Sequence, residues 1–188
     1  HGFDHIFIGA ERFDIPKGQG RYANRLQERF PREARGIDAY LNTVQAMMDE
    51  LPLLFRVGGL ADALCLPYRA RHILRWGTRS GASLIQHFVN DPVLRAILAA
   101  QSGDHGLPPS LVSAAVHAAV THHYFGGGYY PLGGAAAIPR AFSRALKRAG
   151  GELHLSTRVK HILLDGQRVR GVRLADGTEI SARHVVSN

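Results

Sequence analysis

Cysteine is nearly absent. Cys65 is the one cysteine among 188 residues, which excludes an internal disulfide framework and any zinc site built on several thiolates; the simplest setting is a reducing, cytoplasmic compartment. Long hydrophobic runs are missing too. The best candidate, residues 51–66, is interrupted by Arg56, the Gly58-Gly59 pair and Asp62, so nothing approaches the roughly 20 apolar residues that span a bilayer, and no signal peptide is recognisable. There is no Gly-x-Ser-x-Gly elbow, and Cys65 lies between Leu64 and Leu66, an apolar setting for an inert thiol, so hydrolase chemistry has no visible nucleophile. Acids are few: 15 Asp plus Glu against 23 Lys plus Arg give a net charge of +8. Such an excess raises polyanions as partners. Most of the arginines are dispersed along helical and strand-like segments, however, and no RNP, KH or helix-turn-helix signature accompanies them, so no nucleic acid is expected.

Histidine is plentiful, with eleven residues, chiefly His117, His122 and His123 near one helix end. Spacings of five and six do not place two imidazoles on one helical face, and no H-E-x-x-H motif accompanies them, so no metal is expected; His122 and His123 could instead line a pocket. Gly18-Gln19-Gly20-Arg21-Tyr22-Ala23 satisfies the loose G-x-G-x-x-A form, with Asp38 at the distance of a ribose-binding acid. A dinucleotide site needs a buried parallel strand running straight into the first glycine, and here Pro16 and Lys17 intervene. The bland alternative is an ordinary loop before a helix.

With 45% hydrophobic and 20% charged residues the chain can bury a core. Alternation over residues 3–15 predicts a short hairpin. A helix follows from Arg21, ended by Pro31, then a second helix whose Ile37, Tyr40, Leu41, Val44, Met48 and Leu51 recur at helical spacing as one buried stripe. Residues 60–125 read as three or four helices punctuated by Pro67, Gly77, the Asn90-Asp91-Pro92 helix start and the 103–106 loop, the last one starting at Pro108-Pro109-Ser110 with a core body over 111–120. The glycine-rich stretch 126–134 is a seam between two units. Beyond it come a helix over 135–149, stopped by Gly150-Gly151, a short strand over 153–155, and three strand-like runs, 159–164, 169–174 and 179–186, separated by Asp165-Gly166 and Asp176-Gly177. The chain starts at His1 and stops at Val185-Val186-Ser187-Asn188, and reads as excised from something longer. Arg69, Arg71, Arg75 and Arg79, with Trp76 among them, follow the apolar 51–66 segment. This suggests a seat on an anionic membrane surface carried by Arg71, Arg75, Trp76 and Arg79; the bland reading is a solvated helix face.

The ordered series Tyr129-Tyr130-Pro131-Leu132-Gly133-Gly134, the helix over 138–146, Gly150-Gly151-Glu152-Leu153-His154-Leu155, Val159-Lys160-His161-Ile162, Gly171-Val172-Arg173-Leu174, Asp176-Gly177 and Val185-Val186-Ser187-Asn188 resembles the phytoene desaturase-like flavoproteins of the amine oxidase-like superfamily, most of all their carotenoid isomerase and retinol saturase branch. Phe30-Pro31-Arg32-Glu33 and the run from Asp91-Pro92 through Gln101-Ser102-Gly103 to Gly106-Leu107-Pro108-Pro109 are also similar. The resemblance implies an α+β or α/β architecture: a helix-rich substrate-domain portion over 1–128, then an inner portion of an FAD domain over 129–188 with a helix, a short parallel-type strand and a three-stranded antiparallel meander. It implies FAD in the full-length parent, not retained by this piece, which lacks the family's N-terminal strand and G-x-G-x-x-G loop and is inactive alone. Val159 matches the valine that touches the adenine end of FAD through its backbone. The implied substrate is a long apolar polyene, desaturated, saturated or isomerised. Tyr129, Tyr130, Gly133 and Gly134 are expected at the flavin–substrate junction, with a structural turn and helix start as the bland alternative; catalytic residues are not assigned. The rivals are an amine-oxidising flavoenzyme of the same superfamily and a non-catalytic membrane-surface or protein-binding module, so peripheral membrane contact stands as an expectation.

Overall fold

The structure, a computed structural model, describes residues 2–188, and two compact units divide the chain at the Tyr129–Tyr130 junction. In the first, β1 (Asp4–Ile8) and β2 (Glu11–Ile15) form the expected antiparallel hairpin across Gly9-Ala10. Its alternation sorts the faces. Phe13 and Ile15 are buried and the paired Ile6 packs beside them, while on the other face Asp14 accepts from Arg12 at 2.6 Å and pairs with His5 at 2.7 Å.

The hairpin leads into α1 (Gln19–Arg29), a 3-10 turn at Pro31–Glu33 and the long α2 (Ala34–Glu50). Helix α2 packs against α1, α4 (Arg71–Trp76), α5 (Gly81–Phe88) and α7 (Ala114–His123). Because neighbours surround it, its buried arc is wider than a single stripe: Met47 is fully buried, whereas Met48 and Leu51 are only partly covered.

Residues 60–125 hold five α-helices, not three or four: α3 (Leu60–Arg69), α4, α5, α6 (Pro92–Ala99) and α7. The extra break falls at Ala70, and Pro67 sits inside α3 instead of ending it. A tertiary cap explains the break: the Glu50 carboxylate accepts from the backbone of His72 at 2.8 Å and Ile73 at 2.9 Å, satisfying the first turn of α4 from another helix. Helix α7 begins at Ser113, whose hydroxyl accepts from Val116 N–H, and not at Ser110. It is also less of a core helix than its composition suggests, since Val116 is 45% exposed. Asp91 is the expected cap of α6, accepting from Val93 and Leu94 N–H at 2.9 and 3.0 Å ahead of Pro92. Asp91→Ala should therefore cost about 1 kcal/mol; an unchanged urea midpoint for this variant would show that the cap contributes nothing.

The second unit starts with α8 (Ala137–Arg148), which ends in paired bonds from Gly150 N–H to Lys147 O and from Gly151 N–H to Leu146 O, a Schellman motif. β3 (Val159–Asp165), β4 (Arg168–Leu174) and β5 (Glu179–Ser181) form the three-stranded antiparallel meander in the order β3-β4-β5. Two strand expectations are corrected. Residues 153–155 form no ladder, because no strand lies beside them among the described residues. β5 ends at Ser181, opposite Gly171, and the expected run to 186 could not pair throughout: in that register Val185 and Val186 would lie opposite residues 167 and 166, in the β3–β4 turn. Only Gly171 and Leu174 of this unit are buried. Ile138, Phe142 and Leu146 leave an apolar face of α8 in solvent, as do Val159, Ile162, Leu164 and Ile180 on the meander.

Candidate functional site

In the first unit the glycine seam folds back on the hairpin. Gly18 N–H, at the start of α1, donates to Phe125 O at 3.0 Å, and Phe3 stacks on Tyr124 with centroids 5.5 Å apart. Tyr129, 80% exposed, accepts from the Lys17 ammonium, which also lies 5.1 Å from its ring centroid, and it donates to Gly126 O at 3.2 Å. Tyr129 thus presents a free ring face with its hydroxyl held beside a cation. Lys17 was not singled out from sequence, since its partner is 112 residues away. An open cleft of about 530 Å³ adjoins it, lined by Phe3, Lys17, Arg21, Asn24, Arg25 and Glu28. That volume suits a small molecule, but the charged lining does not suit an apolar one.

The same geometry removes Gly18–Ala23 from consideration as a dinucleotide loop. The preceding β2 belongs to a two-stranded antiparallel hairpin, and Asp38 lies on α2, where it accepts from Gln27 at 2.6 Å. Among the histidines, His117 is buried and bonded to Tyr40 at 2.7 Å, while His122 and His123 pack edge-on against Phe125 and Tyr124.

In the second unit the Tyr130 hydroxyl accepts from Ala135 N–H at 3.2 Å, and Gly134 N–H closes a turn on Pro131 O at 2.9 Å. Gly133 and Gly134 have φ of 85° and 81°, which a side chain would strain, and no atom lies within 4 Å of a Cβ built on Gly134. The segment therefore forms a turn and helix start that also leaves backbone open to close approach. Val159 stands at the head of β3, on the open edge of the meander. Ala175 N–H donates to Arg158 O, the bond that flanks a non-hydrogen-bonded Val159–Leu174 pair. The N–H and C=O of Val159 itself hence point away from β4, towards the free edge.

The four residues assigned to a membrane surface separate. Arg71, Arg75 and Arg79 are exposed, but Trp76 is 3% exposed, so it cannot insert into lipid. Its indole packs against His87 and Phe88, with the guanidinium groups of Arg75 and Arg79 each 5.2 Å from its ring. Cys65 likewise departs from expectation: its leucine neighbours lie on a solvent-facing helix, and the thiol is exposed.

The sequence from residue 8 to 188 matches the family of flavin containing amine oxidoreductases. The chain belongs to this family. Within it, the all-trans-retinol 13,14-reductase of Danio rerio is 29% identical over 94% of this chain and 31% of its own length. The chloroplastic prolycopene isomerase of Daucus carota is 24% identical over 93% of the chain and 30% of its own length, and the zeta-carotene-forming phytoene desaturase of Myxococcus xanthus is 36% identical over 69% and 25%. The resemblance to carotenoid- and retinoid-converting flavoproteins thus holds at the level of family, and the chain spans about a third of the length of these curated relatives. Among the described residues no helix is long and apolar enough to cross a membrane.

Proposed function

We propose that this chain forms part of a flavin-dependent oxidoreductase that desaturates, saturates or isomerises a long apolar polyene of the retinoid or carotenoid kind. The observation that carries this reading is the match over more than nine-tenths of the chain to relatives named for converting a retinol and a prolycopene. FAD, when bound, would accept or donate hydride; the protein around it would bind, orient and keep water from the substrate. Residues 129–188 belong, on this reading, to the FAD domain and residues 1–128 to the substrate domain. Burial supports the first assignment. Ordering a residue costs on the order of 1–2 kcal/mol, and a unit with two buried residues does not offset that cost alone. It needs further apolar surface over α8 and the meander, as a piece of a larger domain would.

The outward backbone pair of Val159 suits hydrogen bonding to the adenine end of FAD, and Gly133-Gly134 leave backbone open to a flat ring system near Tyr130. The two open clefts along Arg12–Arg29 and beside Lys17 are lined largely by charged residues, so the apolar substrate path is assigned to surfaces formed with the rest of the protein. The dinucleotide-binding loop is assigned to residues outside these 188, and the chain by itself holds no FAD. The test is to purify the protein that carries this chain, identify any released flavin, and follow retinol and carotene substrates by chromatography and mass. FAD together with a two-hydrogen mass change or a new polyene isomer is expected. Absence of flavin, or turnover of amines and not polyenes, would overturn the reading; stoichiometric FAD on the isolated 188 residues would overturn the division of labour.

A further inference from the structure

The cleft beside Lys17 is built for charge. Lys17, just ahead of α1, and Arg21 and Arg25 on it recur every four residues, so their side chains line one wall. Among the described residues none of the three pairs with a carboxylate. Each is held by a neutral oxygen instead. The Lys17 ammonium donates to the Tyr129 hydroxyl, Arg21 Nε donates to Lys17 O at 2.7 Å, and Arg25 Nη1 donates to Asp14 O at 3.0 Å. The carboxylate of Asp14 is engaged by Arg12 and His5. Such contacts aim the cations without cancelling them, and the remaining N–H donors stay free. The glycine seam fixes the rest of the site. A Cβ built on Gly127 would stand 3.1 Å from Lys17 Cδ, and one on Gly128 would stand 2.8 Å from the Phe3 ring. The Lys17 stem and the Phe3 ring therefore lie directly on backbone, and Phe3 is backed by its stack on Tyr124. The cleft is preformed.

Charge balance selects the occupant. Lys17, Arg21 and Arg25 against Glu28, the one acid that lines the cleft, leave an excess of two positive charges. A monocarboxylate would neutralise half of that, whereas a phosphoryl dianion matches it and offers oxygens spaced for guanidinium forks. We propose that this cleft binds the phosphoryl group of a small soluble phosphate ester. Lys17, Arg21 and Arg25 hold the phosphoryl oxygens, Phe3 and Pro16 receive the organic body, and Asn24 offers an amide to a polar substituent on it. The volume of about 530 Å³ admits such a molecule whole. This site goes beyond the polyene reading and does not depend on it, because the ligand is charged and its binding is read without turnover.

Titration calorimetry on the protein that carries this chain, with phenyl phosphate as the probe, tests it. Saturable binding is expected, weakened by added salt, and benzoate, the same ring with a single charge, should bind at least about tenfold more weakly. Lys17→Gln and Arg21→Gln should each weaken phenyl phosphate at least about tenfold. Glu28→Gln should tighten it, since a like charge leaves the cleft. Arg32→Gln, the same loss of charge on the 3-10 turn outside the cleft, should leave it unchanged. All four positions are exposed, so the circular dichroism spectrum should match the parent's, and the gain expected of Glu28→Gln cannot come from loss of fold. No saturable heat, benzoate as tight as phenyl phosphate, undiminished binding by Arg21→Gln, weaker binding by Glu28→Gln, or an equal loss with Arg32→Gln would each overturn the proposal. So would binding seen only when the phosphate is displayed on phosphatidic acid vesicles, which would make the ligand a lipid headgroup and not a soluble ester.

Discussion

Gly36→Ala is expected to lower the stability of the helical unit by about 2 kcal/mol or more, although alanine is the better helix former. Gly36 lies on α2 where α5 ends, and a Cβ built there would stand 2.1 Å from Phe88 O and 3.4 Å from a Val89 methyl. The obstacle is a backbone carbonyl, which has no rotamer to escape into. Val89 is fully buried and Glu33 accepts from the N–H groups of Asn90 and Asp91 at 2.9 Å each, so the α5–α6 junction is tied to the start of α2 and cannot simply retreat. Two effects compete. Replacing glycine in a helix interior gains up to about 1 kcal/mol, whereas overpacking a closed core costs about 1–3 kcal/mol, and more where backbone must move. The second wins. Urea unfolding of the variant should show a clearly lower midpoint at an unchanged slope; a midpoint equal to or above the parent's would mean that the helices part freely and that this contact does not hold α2 to α5.

What could be read from sequence alone was local chemistry. The β1–β2 hairpin, the Asp91-Pro92 start of α6, the Gly150-Gly151 stop of α8 and the Asp-Gly turns of the meander each rest on residues within a few positions of one another, and all are present. What was not legible depended on partners far along the chain. The division of α3 from α4 follows from Glu50, twenty-two residues before His72. Val185 and Val186 fall outside β5 because in its register they would pass the start of β4, a limit that strand pairing and not composition sets. Trp76, flanked by arginines, looks like an interfacial anchor until the packing of His87 and Phe88 shows that it is core.

The candidate site divides in the same way. Glycines at 133 and 134 announce an unusual backbone, and the structure gives both positive φ. The Lys17–Tyr129 contact joins the ends of the first unit and has no sequence signal beyond the residue types. The backbone direction of Val159 on an edge strand is set by the register with Leu174; no side-chain pattern encodes it. For α3, a propensity for helix was readable, but which face it would turn outward was not, since apolar residues at helical spacing ordinarily mean burial.

Lowering the pH from about 6.5 to about 4 should destabilise the helical unit by roughly 3 kcal/mol through His117 alone. His117 is 2% exposed, and burial depresses its imidazole to about 4, with His105 nearby adding to the effect. Its hydrogen-bond partner is Tyr40, a fully buried phenol that burial pushes far above its usual range, so the pair remains neutral and shares one hydrogen bond between the phenol oxygen and Nε2. In the unfolded chain the same imidazole titrates near 6.5. Between the two values the unfolded state takes up a proton that the folded state refuses, so folding stability is full above about 6.5 and falls as the pH drops, by about 1.4 kcal/mol per pH unit. Asp14, Asp176 and Glu179 have carboxyl groups held below their ordinary values by Arg12, by the Thr178 backbone and by Arg173 respectively, and their losses come later, as the pH falls below the usual carboxylate range. His117→Leu separates the two processes while leaving the other ten of the eleven histidines in place. It should be less stable at pH 7, where Tyr40 loses its hydrogen-bond partner, yet lose less stability on going to pH 4.5. If parent and variant show the same slope across that window, the acid sensitivity resides elsewhere and the Tyr40–His117 pair is not its source.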